Sequence, residues 1–515
     1  MTRSQLRAVC TSISQPGWSR CLLWGLVIAA GGCRPTPPVP TVVTFPVTVT
    51  LQGEVTRADY ETLRELPFDV PAGTSRIELR LEAEGSDART VFDVGLRSPE
   101  GLRGWSGGRR ERLHVSALEA SAGYLPGPIS AGRWAVILGV PNVREGRRDA
   151  FRVEVTLSDR AREWGAVMRR GPAWYAGDLH AHSGHSDGRI RVGTPQAIGG
   201  PVHVVFDAAR QAGLDFVTLS DHNTAAHWLD VARLQPFYAP MLLLPGREVT
   251  TYRGHANTVG ERAFSDFRLS SPQASPVEVM APIRSGGAFV SINHPGRPDD
   301  ETCMGCGWNV DDEAMLDAVD GVEIVNGMTH SGPQSGWAIW ARWLNRGHRL
   351  TAVGGSDEHT PDETADYALG QPTTVVWAES LSEGALVAGL KSGRVYVRVD
   401  GPGGPTLDLR ATDGVTTWQM GDEVPASALN GLRFEAVVGR AEGQQLDWIR
   451  NGAVVATQPL TSAETSVTQR LPVVAGDWVA VVVRRGGQPT LFSNPVYAGS
   501  ARGKTQQRVG ASRTR

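Results

Sequence analysis

The chain has 515 residues, a length typical of about three domains. Its apolar content of 41% and charged content of 20% are those of an ordinary globular protein. They exclude a collagen-like, a wholly disordered and a multi-span membrane protein. The formal net charge of −3 is too small to indicate nucleic acid as the main partner. We therefore expect a multi-domain globular protein that does not bind nucleic acid.

The N-terminus has the pattern of an export signal. Basic residues precede a short apolar run at 22–30, which is too short for a stable transmembrane anchor. Small residues at 30–32 then precede Cys33, as in a lipobox. We predict that residues 1–32 are a lipoprotein signal peptide and that Cys33 anchors an exported protein to the membrane; a signal cleaved nearby without lipid is the alternative. The Pro-rich stretch 33–46 is predicted to be a linker.

Apolar periodicity divides the rest of the chain into three zones and a tail. Residues 47–165 alternate apolar and polar side chains between turns, which predicts an N-terminal β-sandwich. Residues 172–399 alternate short apolar runs with helical stretches, which predicts an α/β fold with a (β/α) barrel. Residues 400–499 return to β character and predict a second β-sandwich, with a hairpin turn at Asn451 and Gly452. Residues 500–515 are basic and are predicted to be a disordered tail.

The elements of the central zone can be placed from the same periodicity. The predicted strands cover residues 216–219, 241–244, 288–292, 322–325 and 350–353. The predicted helices cover residues 203–212, 276–285, 311–319, 335–346 and 381–390.

Histidine is distributed very unevenly, since 11 of the 12 histidines lie between His180 and His359. Such crowding is typical of metal or acid–base chemistry. Polar clusters containing these histidines follow directly after the predicted strands. Because the C-terminal strand ends of a (β/α) barrel converge on one face, we expect about six imidazoles and three carboxylates in one pocket. That set exceeds the ligands of a single catalytic zinc and indicates two or three metal ions bridged by a carboxylate.

The motifs in these clusters resemble those of the polymerase and histidinol phosphatase (PHP) superfamily, in particular its CehA/McbA-type, carbaryl-hydrolase-like branch. The matching stretches are GDLHAH at 177–182, SDG at 186–188, TLSDHNT at 218–224, GREVTT at 246–251, GHAN at 254–257, INHP at 292–295, EIVNG at 323–327 and GGSDEH at 354–359. The resemblance implies a distorted (β/α)7 TIM-like PHP barrel with a bi- or trinuclear centre of zinc, manganese or iron. Carried over by position, the metal ligands would be His180, His182, Asp187, His222, Glu248, His255, His294, Asp357 and His359. Glu248 would be the bridge.

This centre implies hydrolysis by a metal-activated hydroxide. Asp357 is expected to be both a ligand and the acceptor of the nucleophile's proton, and His294 or His185 to protonate the leaving group. His185 is otherwise expected beside the ligands or facing the substrate. Arg247 stands where a small apolar residue is expected, so that it either contacts an anionic oxygen of the substrate or points to solvent.

The substrate is expected to be a small molecule, either a phosphoester or a carbamate or carboxylic ester. A phosphate site normally needs cationic residues beside the metals, and Arg189, Arg253 and Arg297 are close in sequence besides Arg247. The alternative function is a surface-anchored binding or adhesion protein that uses the barrel as a scaffold, although no expected ligand is missing.

Two cysteines, Cys303 and Cys306, lie between the predicted ligand clusters. In an exported protein we predict that they form a small disulfide, with a zinc knuckle or free thiols as alternatives.

Overall fold

The computed structural model describes residues 43–499 apart from 86–88, 108–109, 163, 192, 194–195, 302, 309–312, 330, 333 and 362–367. The predicted signal peptide, Cys33, most of the predicted linker and the predicted tail lie outside the described residues. Within the described ranges, no helix is both long and apolar enough to cross a membrane.

The N-terminal zone consists of two antiparallel sheets. Its strands are β1 (Val47–Thr56), β2 (Thr62–Val70), β3 (Arg76–Ala83), β4 (Val91–Ser98), β5 (Gly101–Ser106), β6 (Arg112–Ser116), β7 (Gly132–Asn142) and β8 (Arg148–Ser158). The sheet orders are β1-β8-β3-β6 and β2-β7-β4-β5. Alternate residues of β8, such as Val153 and Val155, are buried because successive side chains of a strand point to opposite faces. These residues share one core with Val136 and Leu138 of β7, so the two sheets pack face to face.

The central zone alternates strands and helices. Its elements are β9 (Arg169–Asp178), β10 (Arg189–Arg191), β11 (Ala197–Gly199), α1 (Val202–Gln211), β12 (Phe216–Leu219), α2 (Trp228–Tyr238), β13 (Leu242–Thr251), β14 (Gly254–Val259), α3 (Val277–Ser285), β15 (Phe289–Ile292), α4 (Glu313–Asp317), β16 (Gly321–Asn326), α5 (Trp337–Asn345), β17 (Thr351–Gly355), β18 (Thr373–Leu381), α6 (Glu383–Ser392) and β19 (Val395–Arg398). The expectation of a mixed α/β fold is therefore confirmed.

Seven of these strands are neighbours in the order β9-β12-β13-β14-β15-β16-β17. The pairs β9–β12, β12–β13, β15–β16 and β16–β17 are parallel, whereas β14 is antiparallel to both of its neighbours. One parallel bridge, between Ala181 and Glu358, joins the segments that follow β9 and β17. The regular strand–helix repeat of a (β/α)7 barrel is interrupted, because β13 and β14 form a hairpin in place of a crossover.

Most predicted helices are present with small shifts of their ends. α1, α3, α5 and α6 begin and end within two residues of the predicted ranges. α6 has a clear start and stop, since the Ser382 hydroxyl accepts a hydrogen bond from the Ala385 N–H and Gly393 has a φ of +74°. α4 is shorter than predicted, although residues 311–312 lie outside the described part. α2 was not predicted; it contains Pro236, as the predicted helix α3 contains Pro282.

The C-terminal zone continues the central sheet. Its strands are β20 (Thr406–Thr412), β21 (Thr417–Gln419), β22 (Glu423–Val424), β23 (Arg433–Gly439), β24 (Gln445–Arg450), β25 (Ala453–Pro459), β26 (Glu464–Arg470), β27 (Asp477–Arg485), β28 (Gln488–Ser493) and β29 (Val496–Ala498). β21-β20-β23-β26 form a separate antiparallel sheet. β28 pairs antiparallel with β19, so hydrogen bonding crosses the predicted boundary at residue 400. Asn451 and Gly452, with φ of +54° and +86°, form the predicted turn between β24 and β25.

Candidate metal centre

The polar clusters that follow β9, β12, β15 and β17 meet the β13–β14 hairpin at one place in the fold. Six of the predicted ligands there are at most 9% exposed: His180, His182, Glu248, His255, His294 and Asp357. The side chains of Asp187, His222 and His359 are 46%, 27% and 32% exposed. The cluster therefore has a buried floor and one side that is open to solvent.

Glu248 lies between two sets of imidazoles. Its Oε2 is 3.2 Å from His180 Nε2 and 3.4 Å from His182 Nε2. Its Oε1 is 3.2 Å from His255 Nδ1 and 3.3 Å from His294 Nε2. Oε2 is also 3.1 Å from His222 Nδ1, so each oxygen faces its own set of ring nitrogens, an arrangement that would suit a carboxylate shared by two cations.

The first group of potential ligands contains His180, His182, Glu248 and Asp357, whose ligand atoms lie within 4.8 Å of one another. Asp357 Oδ1 is 3.2 Å from both His180 Nε2 and His182 Nε2. Two imidazole nitrogens and two carboxylates are a sufficient protein ligand set for a divalent transition metal.

A second group lies on the exposed side and contains His182, Asp187, His222 and His359. Asp187 Oδ1 is 3.4 Å from His359 Nε2 and 3.7 Å from His222 Nε2. His182 belongs to both groups, with Nε2 facing the first and Nδ1 lying 4.0 Å from Asp187 Oδ1. Because a neutral imidazole has one unprotonated nitrogen, His182 can ligate in only one group at a time.

A third group contains His255, His294 and Cys306. The predicted disulfide between Cys303 and Cys306 is present, so the Cys306 sulfur is not a thiolate. The anionic partner of these two imidazoles is instead Glu248 Oε1. This side of the centre therefore offers two histidines and one bridging carboxylate.

Buried ring nitrogens show that this cluster fits metal ions. Nδ1 and Nε2 of His182 and Nδ1 of His255 are buried and have no hydrogen-bond partner within the described ranges. A buried polar atom without a partner costs free energy unless something else satisfies it. Since carboxylate oxygens surround the same nitrogens, cations bound between them would satisfy both.

The carboxylates of the cluster are held in their anionic form. Burial alone would raise the pKa of Glu248, but the charges of His222 and His180 outweigh it and hold that pKa well below its usual range. Burial would likewise raise the pKa of Asp357, but His180 and His182 outweigh it and hold that pKa well below its usual range. Burial lowers the pKa of His182 to about 4, which keeps this imidazole neutral and available as a ligand.

Two residues of the cluster have backbone conformations that L-residues adopt rarely. Asp357 has a φ of +58° and His294 a φ of +27°. Such conformations cost free energy and are found preferentially at functional sites. Here they turn each side chain into the cluster directly after a strand ends.

Glu323 supports the ligands and is not among the site residues predicted from the sequence. Its Oε1 is 3.1 Å from His180 Nδ1, so that His180 Nε2 is left facing the cluster. Its Oε2 accepts hydrogen bonds from the His294 N–H and from Asn326 Nδ2, each at 2.9 Å. A buried acid that orients a ligating histidine in this way is a common feature of metal sites. The available signal was a single charged residue within the apolar run of β16.

Asp178 joins the two ends of the seven-strand array. Its Oδ1 accepts hydrogen bonds from the N–H groups of His180 and Ser356, at 3.1 and 3.0 Å. Its Oδ2 accepts one from Gly370 N–H at 2.7 Å. The side chain is fully buried, and burial raises the pKa of this carboxyl group. Asp178 thereby fixes the segment that carries His180 against the segment that carries Asp357.

Two predicted catalytic residues lie outside the three groups. His185 Nε2 is 2.9 Å from Asp230 Oδ2, and its side chain is 32% exposed. Arg247 was expected to face either substrate or solvent, and this is wrong. It is fully buried and pairs with Glu261 through two hydrogen bonds of 2.7 and 3.1 Å. Because neighbouring side chains of a strand point to opposite faces, Arg247 faces away from the centre that Glu248 faces.

Arg297 stands at the margin of the centre. Arg297 Nη2 is 3.5 Å from Asp357 Oδ2 and donates a hydrogen bond to Asn326 Oδ1. Asn326 Nδ2 in turn donates to Asp357 Oδ2 at 3.3 Å. The Arg297 side chain is 24% exposed, so a cationic group borders the ligands and is accessible from solvent.

No family model and no curated protein matches the chain. Among solved structures, it is similar to a two-domain protein from Bacteroides vulgatus ATCC 8482 containing a predicted PHP-like metal-dependent phosphoesterase, with 17% identity, 65% of this chain and 98% of that chain covered, and a TM-score of 0.35. It is also similar to a protein from Bifidobacterium adolescentis ATCC 15703 assigned as a metal-dependent phosphoesterase, with 19% identity, coverages of 41% and 94%, and a TM-score of 0.29. A third similar structure is PsfC from Pseudomonas syringae PB-5123, with 16% identity, coverages of 39% and 82%, and a TM-score of 0.27. At these TM-scores, the chemistry of the site has to rest on its own geometry.

Proposed function

We propose that the chain is a metal-dependent hydrolase of the PHP superfamily that acts on phosphoesters. The observation that carries the proposal is Glu248, whose two oxygens each face a separate set of imidazole nitrogens. Divalent ions held there would supply an activated water nucleophile and polarise the bond to be cleaved. The buried floor excludes bulk water from one side, and the exposed residues Asp187, His222 and His359 mark the side by which substrate enters.

Asp357 is proposed to hold metal and to accept the nucleophile's proton. Its Oδ1 lies between His180 and His182, and its Oδ2 faces Arg297 and Asn326. We assign the leaving-group proton to His185 rather than to His294. Both ring nitrogens of His294 are already committed, to the Cys306 carbonyl and to Glu248. His185 keeps a partly exposed imidazole, and its Nε2 lies 2.9 Å from Asp230 Oδ2, which orients the ring.

Arg297 favours a phosphoester over a carbamate or carboxylic ester. A transferred phosphoryl group carries negative charge that a guanidinium can bind with two parallel hydrogen bonds. A carbamate is neutral and gains less from that cation. Arg297 borders Asp357 and reaches solvent, which is the position such a contact requires.

The test is a substrate panel with the purified protein reconstituted separately with zinc, manganese and iron. We expect hydrolysis of p-nitrophenyl phosphate or bis(p-nitrophenyl) phosphate. Arg297→Met should lower kcat/KM for that substrate by about 10- to 100-fold, the loss expected for a charged hydrogen bond of 1.5–3 kcal/mol. Arg297→Lys should recover part of the activity. Arg268→Met, which removes an exposed arginine paired with Asp266, is the matched control.

Two results would overturn the proposal. Hydrolysis of 1-naphthyl N-methylcarbamate or p-nitrophenyl acetate without phosphoester activity would assign the other substrate class. Absence of bound metal after reconstitution would favour the binding or adhesion protein, in which the central fold is only a scaffold.

We further propose membership of the CehA/McbA-type branch and export to the membrane surface with a lipid on Cys33. The support is the order of the motifs from residue 177 to residue 359 and the small residues before Cys33. Metabolic labelling with an alkyne fatty acid should mark the wild-type protein, and Cys33→Ser should abolish the label and release the protein from membranes. A labelled Cys33→Ser protein would contradict the anchor.

A further inference from the structure

The segment Cys303–Cys306 lies directly over two of the potential metal ligands. The Met304 carbonyl oxygen is 3.2 Å from His255 Nε2. The Cys306 carbonyl oxygen is 3.1 Å from His294 Nδ1. Both contacts come from the backbone of one short loop, and the disulfide between its two cysteines closes that loop. We call this segment the disulfide loop.

The two carbonyl groups determine which ring nitrogens can bind metal. A carbonyl oxygen only accepts hydrogen bonds, so His255 Nε2 and His294 Nδ1 must carry the protons. The unprotonated nitrogens are then His255 Nδ1 and His294 Nε2. These are the atoms that face Glu248 Oε1, at 3.2 and 3.3 Å. The disulfide loop thus orients both imidazoles toward the same carboxylate oxygen.

The disulfide loop is held by close packing against Thr251 and by a hydrogen bond to Asp299. Gly305 has a φ of +83°, and a Cβ at this position would lie 2.1 Å from the Thr251 carbonyl oxygen. Its N–H donates to Asp299 Oδ1 at 2.7 Å. Cys306 is 2% exposed, whereas Cys303 is only half-buried. A reductant can therefore reach the disulfide from the Cys303 side.

We propose that the disulfide loop is a redox-sensitive positioning element for the metal position formed by Glu248 Oε1, His255 and His294. A dithiol reductant would transfer two electrons and two protons to the disulfide, giving two thiols and a cyclic disulfide of the reductant. The opened loop no longer fixes the Met304 and Cys306 carbonyl groups, and metal affinity at this position falls. The group on the exposed side of the centre, whose described residues share no hydrogen bond or ion pair with the loop, keeps its affinity. The inference rests on the proposed metal binding.

Metal binding by the full-length protein tests this inference without reference to activity. Zinc stoichiometry and affinity would be measured for the oxidised protein, for the same protein treated with a trialkylphosphine, and for the double variant Cys303→Ser/Cys306→Ser. We expect one zinc equivalent to bind at least about 10-fold more weakly in the latter two, as for the loss of other groups that orient ligands. The remaining zinc should be unaffected, and reoxidation with oxidised glutathione should restore the lost affinity.

Two controls separate positioning from general damage to the fold. Met304→Ala removes a side chain that is 61% exposed and keeps the carbonyl group, so it should bind zinc as the wild type does. Circular dichroism of the metal-free forms should be unchanged. If the double variant does not fold, the phosphine-treated wild type carries the test.

Three outcomes are decisive. Equal zinc affinity in the oxidised and reduced forms would overturn the positioning role. Substitution with cobalt gives a second overturning result, namely a thiolate charge-transfer band in the reduced wild type that Cys306→Ser removes, since Cys306 would then be a ligand itself. If the oxidised wild type binds no metal at all, the proposed function fails instead.

Discussion

Glu248 Oε1 and His255 Nδ1 lie 3.2 Å apart, while the other oxygen of the same carboxylate faces His180 and His182. One side chain therefore connects two metal positions. Glu248→Gln keeps the shape but removes the charge and one of the two acceptor oxygens, so both positions should lose affinity together. We expect metal analysis to show the loss of two equivalents from the protein. Glu435→Gln, which changes a half-buried glutamate of β23, is the control, and an unchanged stoichiometry in Glu248→Gln would contradict the bridge.

His180→Ala and Asp357→Ala should each remove metal and activity together. Both side chains are buried, and His180 Nε2 lies 3.2 Å from Asp357 Oδ1. Each alanine variant would therefore remove one ligand atom from the same metal position. A loss of about 10³-fold in kcat is expected, since metal stabilisation of the reaction is worth several kcal/mol. Activity of the chelated wild type should return when metal is added, whereas that of the variants should not. Full activity of either variant after chelation would exclude a metal mechanism.

The convergence of the ligands could be predicted because it depends only on local order along the chain. His222 follows β12, His294 follows β15 and Asp357 follows β17, and the C-terminal ends of neighbouring parallel strands meet at one edge. The β13–β14 hairpin could not be predicted in the same way, because its turn at Tyr252 and Arg253 lacks the Asn-Gly or Asp-Gly pattern that marks tight hairpins.

The sequence also did not reveal which residues pair with the buried charged side chains. The direction of Arg247 follows from that of Glu248, since the two are adjacent in a strand, but its partner Glu261 lies 14 residues further along the chain. Glu323 likewise meets His180 across 143 residues. Such pairs depend on the tertiary register of the strands, which no local pattern encodes.

Asp178→Asn should destabilise the protein although it is nearly isosteric. The carboxylate accepts three backbone hydrogen bonds, and an amide nitrogen in place of one oxygen would face an N–H group. Leaving a buried donor unsatisfied costs about 1–3 kcal/mol. Thermal unfolding of the metal-free protein should show a lower Tm than for Asp207→Asn, which changes a surface aspartate of α1 paired with Arg210. Equal Tm values for the two variants would show that Asp178 does not fasten these segments.

Arg247→Met should destabilise the protein more than the double variant Arg247→Met/Glu261→Gln. The single change leaves a buried Glu261 carboxylate without its cation, which typically costs 3–5 kcal/mol, whereas removing both charges avoids that penalty. Differential scanning calorimetry of the metal-free forms would compare them. If the double variant is no more stable than the single one, the unpaired Glu261 carboxylate is not the reason that Arg247→Met lowers stability. Metal stoichiometry should be the same in both, because Arg247 faces away from the centre.

His114 should make the stability of the N-terminal sheets depend on pH. Burial, followed by the Arg76 guanidinium, lowers the pKa of His114 to about 4. The unfolded chain, with a pKa near 6.5, binds more protons between these values, so stability is complete above about pH 6.5 and is lost as the pH falls toward 4. The upper limit of the effect is about 3 kcal/mol, since each unit of pKa shift corresponds to about 1.4 kcal/mol.

His114→Gln isolates this contribution, because glutamine keeps a polar side chain near Ser121 but does not titrate. The Tm of the metal-free wild type should fall more steeply between pH 7 and pH 4.5 than that of the variant, so the wild type should lose stability relative to the variant as the pH falls. Metal must be absent from both samples, since protonation of the ligands would otherwise add a pH dependence of its own. Parallel curves over the whole range would show that His114 has the same proton affinity in the folded and unfolded chain, and that the nearby Glu78 carboxylate offsets the effects of burial and of Arg76.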